Sequence, residues 1–555
     1  MVKKRIVLGY DFGTLSCRMI ASDLQTGQTL FEASACYPHG VLTEALPGSG
    51  VLLGRDWALQ DPNDYLAVME QLTRAAVKKV PAEEIAAMGI DFTNCTVVAL
   101  GVDGEPLCND RRFRELPHAW VKLWKHHAAQ PYAERMEAIL KERDTDWFRA
   151  YGRNVSSEWF YPKVLQVYEE APLVYDAADV FMEASDYLPY WLTGNLARNS
   201  ATLGVNAFYG TSRGYPDASL LNAFSPGFGG VLKKQRGEIV PVGSRVGTLR
   251  PKAAARLGLG VDVTVAAGHG DSEVVAAGLG LVEPGSMIMA MGTSTCYQMM
   301  HKEAIVFDGV CAIVQDGMIP GLFAYESGQP AVGDSFSWFV EQLLPGGYRE
   351  EAARKGMDAL AYMDTLCGAL RPGEAGLISL DWLNGNRSVL MDYNLRGVIA
   401  GLGLATKPEH IYRSLVEATA FGARRILDSY HEAGVRIERV VASGGLPRKS
   451  PVVMQLYADI LGRDIVVPKV SYVSALGAGV CAAVAYEYGV GSQEAFHEVC
   501  GRMARHDTIL YQPNPAAVEV YNQLYGLFLE LHNFSGRASR LFGRLSELEQ
   551  ESKKS

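Results

Sequence analysis

No two of the nine cysteines stand in a Cys-x-x-Cys pair, so the local spacing of zinc and dithiol sites is missing. Their odd number also speaks against a disulfide frame, and buried thiols in a reducing compartment, the cytoplasm, are the expectation. An excess of positive charge is lacking too. Net charge is −10 and the pI near 5.7, which excludes a general nucleic-acid binder. Long apolar runs are absent. The uncharged stretches 284–301 and 470–486 approach the roughly 18 residues of a spanning helix. Gly, Ser, Thr and Gln dilute the first and Ser and Gly the second, so both read as core, with no membrane contact. Lys3-Lys4-Arg5 imitates a signal n-region, but the apolar run Ile6 to Tyr10 stops at Asp11, and no signal peptide is expected. Asp11-Phe12-Gly13 carries no Gly-rich loop or His-Arg-Asp-type loop in protein-kinase order, which excludes that class. The neighbouring His126 and His127 do not share a helix face and are read as ordinary histidines, not metal ligands.

What is present points to phosphoryl transfer. With 555 residues the chain is too long for one core, so two large domains are expected. Gly280 to Gly285 (Gly-Leu-Val-Glu-Pro-Gly) breaks the chain, and the domains are drawn as 1–281 and 282–555, the second ending in a charged, frayed tail from Glu547. Residues 6–10 read as a buried strand, 18–24 as a second and 29–33 as a third. That meander puts Gly13, Thr14 and Ser16 in the first bend, where backbone N–H groups can converge on an anion. The second half repeats the pattern: a strand at 287–290, the bend Gly292-Thr293-Ser294, and a returning strand at 296–300. Glycine admits a phosphate close to the backbone and the hydroxyls add donors. Two such bends read as a duplicated nucleotide-binding fold. Asp271, in Ala266-Ala267-Gly268-His269-Gly270-Asp271 ahead of the second bend, is the candidate general base. Asp11 and Asp271 are the candidate Mg²⁺ residues, Asp11 through water, because Mg²⁺ keeps much of its hydration shell. Ser443-Gly444-Gly445, between a strand and a helix, suits a nucleotide against a helix N-terminus.

Other features are organisational. Asp61-Pro62-Asn63-Asp64 opens a helix with Asp61 as N-cap. Thr406-Lys407-Pro408-Glu409 reads as a capping box. Ser474 to Gly479 opens a helix of small residues made for close packing. The aromatic-richer stretch 105–255 reads as an insertion that shapes a substrate site.

Gly397-Val398-Ile399-Ala400-Gly401-Leu402, followed after seven residues by His410-Ile411-Tyr412-Arg413-Ser414-Leu415-Val416-Glu417, resembles the C-terminal signature of the FGGY carbohydrate kinases. From Ile6 to about Leu531 the chain is similar to one branch, the L-ribulokinases. Leu123-Trp124-Lys125-His126-His127, Ser156-Ser157-Glu158-Trp159, Gly292 to Cys296, Glu326 to Gln329 with Gly333-Asp334, and Leu380 to Gly385 carry that likeness. The resemblance implies an α/β protein of two actin-like (ribonuclease H-like) ATPase domains around a central cleft. It also implies ATP and Mg²⁺ and a small-molecule sugar as substrate. Asp271 falls on the family's base. Trp124 and Glu326 fall on sugar positions, and Gly292, Thr293, Gly333, Ser337, Gly444 and Gly445 on nucleotide positions. The activity implied is conversion of L-ribulose to L-ribulose 5-phosphate in L-arabinose catabolism; a homodimer is left open.

The chain departs from that branch in its pocket. Where the branch carries lysine in a Gly-x-Lys segment, this chain has Gly204-Val205-Asn206, and Asn94 stands where a small residue is expected. Asn94 and Asn206 are therefore candidate substrate-binding residues that favour the alternative of another ketose or polyol, such as D-ribulose, xylulose or ribitol. A noncatalytic actin-like sugar sensor or chaperone ATPase is the alternative of another class. Asp271 beside an intact Gly-Thr-Ser bend argues against the sensor, and the lack of an added peptide-binding β-domain argues against the chaperone.

Overall fold

The apolar run Ile6–Phe12 forms β1 and is buried at every position. The computed structural model describes residues 4–538 and 541–554. β1 pairs antiparallel with β2 (Ser16–Asp23), which pairs antiparallel with β3 (Thr29–Cys36). On its other side β1 runs parallel to β4 (Ile85–Phe92), also buried throughout. Beyond β4 lie β6 (Thr264–Ala266), parallel to it, and β5 (Arg245–Thr248), antiparallel to β6. The short β7 (His269–Gly270) also pairs parallel with β4. The order is β5-β6-β4-β1-β2-β3. Helix α1 (Pro62–Ala76) begins as expected, with the Asp61 carboxylate accepting from the Asn63 N–H at 2.9 Å.

The chain divides at Glu283/Pro284. One unit comprises Met1–Glu283, Val314–Ala324 and Val470–His506, and the other Pro284–Ile313, Tyr325–Lys469 and Asp507–Ser555. The small-residue helix Val473–Glu487 thus packs with the first unit, on β1 and β4. Glycine makes that packing feasible. Gly9 and Gly89 are register partners on β1 and β4. A Cβ on Gly9 would lie 1.8 Å from the Ala475 carbonyl oxygen, and one on Gly89 2.0 Å from that of Ala478. Backbone of the helix therefore rests directly on the sheet. Gly89→Ala should cost about 3 kcal/mol, the upper range for overpacking, read as a lowered midpoint in urea unfolding; an unchanged midpoint would disprove the close packing.

The second unit repeats the order. β8 (Ser286–Met291) pairs antiparallel with β9 (Thr295–His301) and parallel with β12 (Arg439–Gly444). The sheet reads β10 (Ala312–Gln315), β11 (Phe323–Gln329), β9, β8, β12, β13 (Ile465–Pro468), β14 (Thr508–Tyr511). β12 and β13 are parallel, and β13 and β14 antiparallel. β8 therefore occupies the place of β1, β9 that of β2 and β12 that of β4, the mixed order of a ribonuclease H-like, actin-like duplication.

The long helix Pro408–Glu432 starts one residue later than the capping-box reading. Lys407 is the N-cap, and its N–H donates to His410 Nδ1 at 3.3 Å. The Thr406 hydroxyl instead accepts from the Gly403 N–H at 3.0 Å, which uses the oxygen a cap would need. Where fraying was expected, a helix runs over Leu541–Lys554. Among the described residues no helix is long and apolar enough to cross a membrane, and the nine cysteines are free thiols.

Candidate active site

Four acidic residues of the first unit gather where its central strands end. Asp11 and Asp91 are register partners near the ends of β1 and β4. β7 runs beside the end of β4, pairing His269 with Asp91 and Gly270 with Phe92. Its last step delivers Asp271, whose N–H donates to the Phe92 carbonyl at 2.9 Å. Burial first, then the charges of Asp11 and Glu273, push the Asp271 carboxyl up to about 8, while N–H groups of Asn94 and Ser272 pull it back. Burial, then Asp11 and Asp271, push Asp91 well above the carboxylate range. The nearest compensating cation is Arg18, whose Nη1 donates to Asp11 Oδ2 at 2.9 Å. No motif in the sequence marks Asp91 as a member of this group; its parallel pairing with β1 supplies the membership.

The first bend is held from three sides. The Gly13 N–H donates to the Ser16 carbonyl at 3.0 Å and closes the turn. Tyr37 Oη donates to the Gly13 carbonyl at 2.9 Å, and Gln60 Nε2 to the Thr14 carbonyl at 2.8 Å. Trp124 Nε1 donates to Thr14 Oγ1 at 3.1 Å, so this sugar candidate touches the bend itself. Lys163 Nζ, fully buried, donates to the carbonyls of Cys95 at 2.5 Å and Leu123 at 2.7 Å. It thereby ties the Trp124 segment to the turn after β4.

That turn carries Asn94. Cys95 follows in the left-handed region at φ 59°, and its Sγ–H donates to Asn206 Oδ1 at 2.9 Å. Asn206 ends the helix α2 (Ser200–Asn206). The two departures from the expected pocket, Asn94 and Asn206, are thus neighbours of one turn. The structure brings Asp11, Gly13, Thr14, Ser16, Asn94, Trp124, Asn206 and Asp271 into the first unit.

Glu326 lies on β11 in the second unit, paired with Arg387. The second bend is closed by the Gly292 N–H donating to the Ser294 carbonyl at 2.8 Å. The Val332 and Asp334 N–H groups donate to the Thr293 carbonyl at 2.8 and 3.2 Å, and the Gly333 N–H to the Gly292 carbonyl at 3.1 Å. Those bonds fix the start of the short helix Gly333–Trp338, where Gly333 and Ser337 share a face. Gly444, at φ 102°, is the register partner of Met291. Gly292, Thr293, Gly333, Gly444 and Gly445 therefore converge on the end of β8.

The glycines of this group differ in what they do. A Cβ on Gly444 would meet the Met291 carbonyl oxygen at 2.3 Å, and one on Gly333 the Gly292 carbonyl oxygen at 2.5 Å. One on Gly292 would find only the Ser294 carbonyl oxygen, at 3.9 Å. Gly444→Ala should therefore destabilise the fold, by about 1–3 kcal/mol, before any ligand is considered. Gly292→Ala should fold normally and raise the KM for ATP more than the KM for sugar. An unmoved ATP KM in Gly292→Ala would remove this bend from the nucleotide site.

The N-terminal domain model of the FGGY family of carbohydrate kinases matches residues 6–280, and its C-terminal domain model residues 287–486. The chain belongs to the FGGY family of carbohydrate kinases. It is 43% identical over 537 residues to a ribulokinase of Anoxybacillus flavithermus, covering 96% of this chain and 95% of that one. A ribulokinase of Geobacillus thermodenitrificans is 42% identical with the same coverage. Among solved structures, gluconate kinase from Lactobacillus acidophilus superposes with a TM-score of 0.79 at 19% identity, covering 97% of this chain and 99% of that one. Xylulose kinase from Rhodospirillum rubrum gives 0.77 at 22% identity, covering 95% and 98%. At that identity these FGGY structures speak to the fold alone.

Proposed function

We propose that this FGGY protein transfers the γ-phosphoryl group of ATP to a primary hydroxyl of a ketopentose, with L-ribulose to L-ribulose 5-phosphate as the reaction. The observation that carries the reaction class is the delivery of Asp271, half-buried among acids, beside a bend that can receive phosphate. Near-full-length likeness to ribulokinases supports the sugar. Asp271 takes the proton of the attacking hydroxyl, so the oxygen reaches phosphorus as a stronger nucleophile. The Gly13–Ser16 bend of the first unit and the Gly292–Ser294 bend of the second are each a candidate for holding phosphate oxygens with backbone N–H groups.

The acids suit Mg²⁺ in a particular way. Among the described residues only His39, Asp61 and Asp64 place three ligand atoms within 4.8 Å of one another, so Asp11, Asp91 and Asp271 form no closed cage. An open acidic group with a single arginine fits a cation that keeps its waters. Asp11 and Asp271 would hold it through them. When bound, Mg²⁺ supplies neutralisation of phosphate charge.

Asn94 and Asn206 support a second reading, a kinase for another ketose or a polyol, since both replace what the ribulokinase pattern leads one to expect. A coupled assay of ADP release over D- and L-ribulose, D- and L-xylulose, ribitol and glycerol separates the two. L-ribulose should give the highest kcat/KM. A higher value for another member would move the substrate and leave the kinase class standing; no turnover on any would remove the class.

A further inference from the structure

Glu273, two residues past Asp271, was not singled out by any sequence pattern, yet it is 4% exposed and its Oε2 accepts from Asn94 Nδ2 at 2.6 Å. The same amide donates to Ser272 Oγ at 3.2 Å. Gly270 makes room for the pair: a Cβ there would lie 2.2 Å from Glu273 Oε2 and 2.3 Å from Asn94 Oδ1. Around it, polar atoms are left unpaired. Asn94 Oδ1, Asn206 Nδ2 and Thr202 Oγ1 are buried with no hydrogen-bond partner among the described residues. Thr202 and Asn206 are four apart on α2 and share a face, and α2 packs on β7, the strand that leads into Asp271. Buried polar atoms without partners are rare and call for an explanation. A site built to bind hydroxyl groups leaves its own donors and acceptors open for them, and rejects ligands that cannot fill them.

We propose that Glu273 is a positioning residue for sugar specificity: it clamps the Asn94 amide, and Asn94, Asn206 and Thr202 then read the hydroxyl pattern of an uncharged ketopentose. This deepens the proposed function and rests on it. The reading atoms are neutral amide and hydroxyl groups, which can pair with sugar hydroxyls and carry no charge to offset the carboxylate of a sugar acid, so a sugar acid is disfavoured. Asn94 supplies a fixed rather than a freely turning amide only while Glu273 holds it.

The test measures kcat and KM for L-ribulose, L-xylulose and L-ribonate, with ATP saturating, in wild type, Glu273→Gln, Asn94→Ala and the double variant. Glu273→Gln should lower the preference between the two ketoses roughly tenfold or more, the scale of one hydrogen bond to a charged group. Sugar KM should rise by a larger factor than kcat falls, and the KM for ATP should hold. Asn94→Ala should do the same, and the double variant should add little, because Glu273 acts through Asn94. L-ribonate should not be turned over by wild type. A ketose preference unmoved by both single variants, effects that add in the double, or turnover of L-ribonate comparable to L-ribulose would each overturn the proposal. Should Glu273→Gln fail to fold, Asn94→Ala alone decides by its preference ratio. A wild type inactive on both ketoses overturns the ketopentose reading and this proposal together, whereas an active wild type with an unmoved ratio overturns the proposal alone.

Discussion

Asp271→Asn should lower kcat by about 10²–10⁴-fold, the range for loss of a positioned general base, while the sugar KM moves far less. The substitution keeps the shape of the side chain and removes its capacity to take a proton. Its backbone anchor to Phe92 does not involve the side chain, so β7 and the turn beyond it should stay in place. On the proposed mechanism the carboxyl must be ionised to act. Because burial, Asp11 and Glu273 hold it up to about 8, its charged form is lost as pH falls through a range well above that of an ordinary carboxylate. kcat/KM should accordingly decline on the acid side with a midpoint above the usual carboxylate range, and Asp271→Asn should erase that limb along with the rate. Near-normal turnover in the variant, or an acid limb near pH 4, would take Asp271 out of the mechanism.

Much of this arrangement could be read from the chain because it is local. A buried run, then a Gly-Thr bend, then a returning strand is a pattern within about fifteen residues, and it appears twice, the first time with Asp11 at the end of the run; the two sheets bear out the duplication. Asp61 as an N-cap was legible for the same reason. What escaped reading depends on contacts between distant segments. Asp91 joins the acidic group only because β4 runs parallel to β1, and Glu273 matters only because the turn after β4 brings Asn94 to it. The helix Val473–Glu487 announces close packing by its small residues, but nothing in its sequence says that Gly9 and Gly89, hundreds of residues earlier, are what it packs on. Gly444 shows the converse. Its place beside a strand end invites a role in binding nucleotide, while its φ and the nearness of the Met291 carbonyl make glycine a requirement of the fold itself.

The family signature has a physical reason of the same long-range kind, and breaking it should produce the largest stability loss expected here. Arg413 and Glu417, four apart on the helix Pro408–Glu432, are each 3% exposed. Arg413 Nε donates to Glu417 Oε1 at 2.6 Å. Its Nη1 donates to the carbonyls of Cys367 at 2.7 Å and Leu370 at 3.3 Å, at the end of the helix Ala359–Ala369. Its Nη2 meets Tyr521 Oη, and that hydroxyl donates to Glu417 Oε1 at 3.0 Å, from the helix Pro515–Asn533. One guanidinium thus stitches three helices and satisfies two carbonyls. Arg413→Met keeps most of the length and leaves Glu417 buried with only the tyrosine, so it should cost about 3–5 kcal/mol, the range for removing one partner of a buried pair. With roughly 2–4 °C per kcal/mol for a domain of this order of size, the melting temperature should fall by roughly 6–20 °C. Arg413→Met with Glu417→Leu should recover part of that loss, because the second change removes the stranded charge and replaces it with apolar volume. A single variant that melts within 2 °C of wild type, or a double variant less stable than the single one, would show that the pair does not hold these helices together.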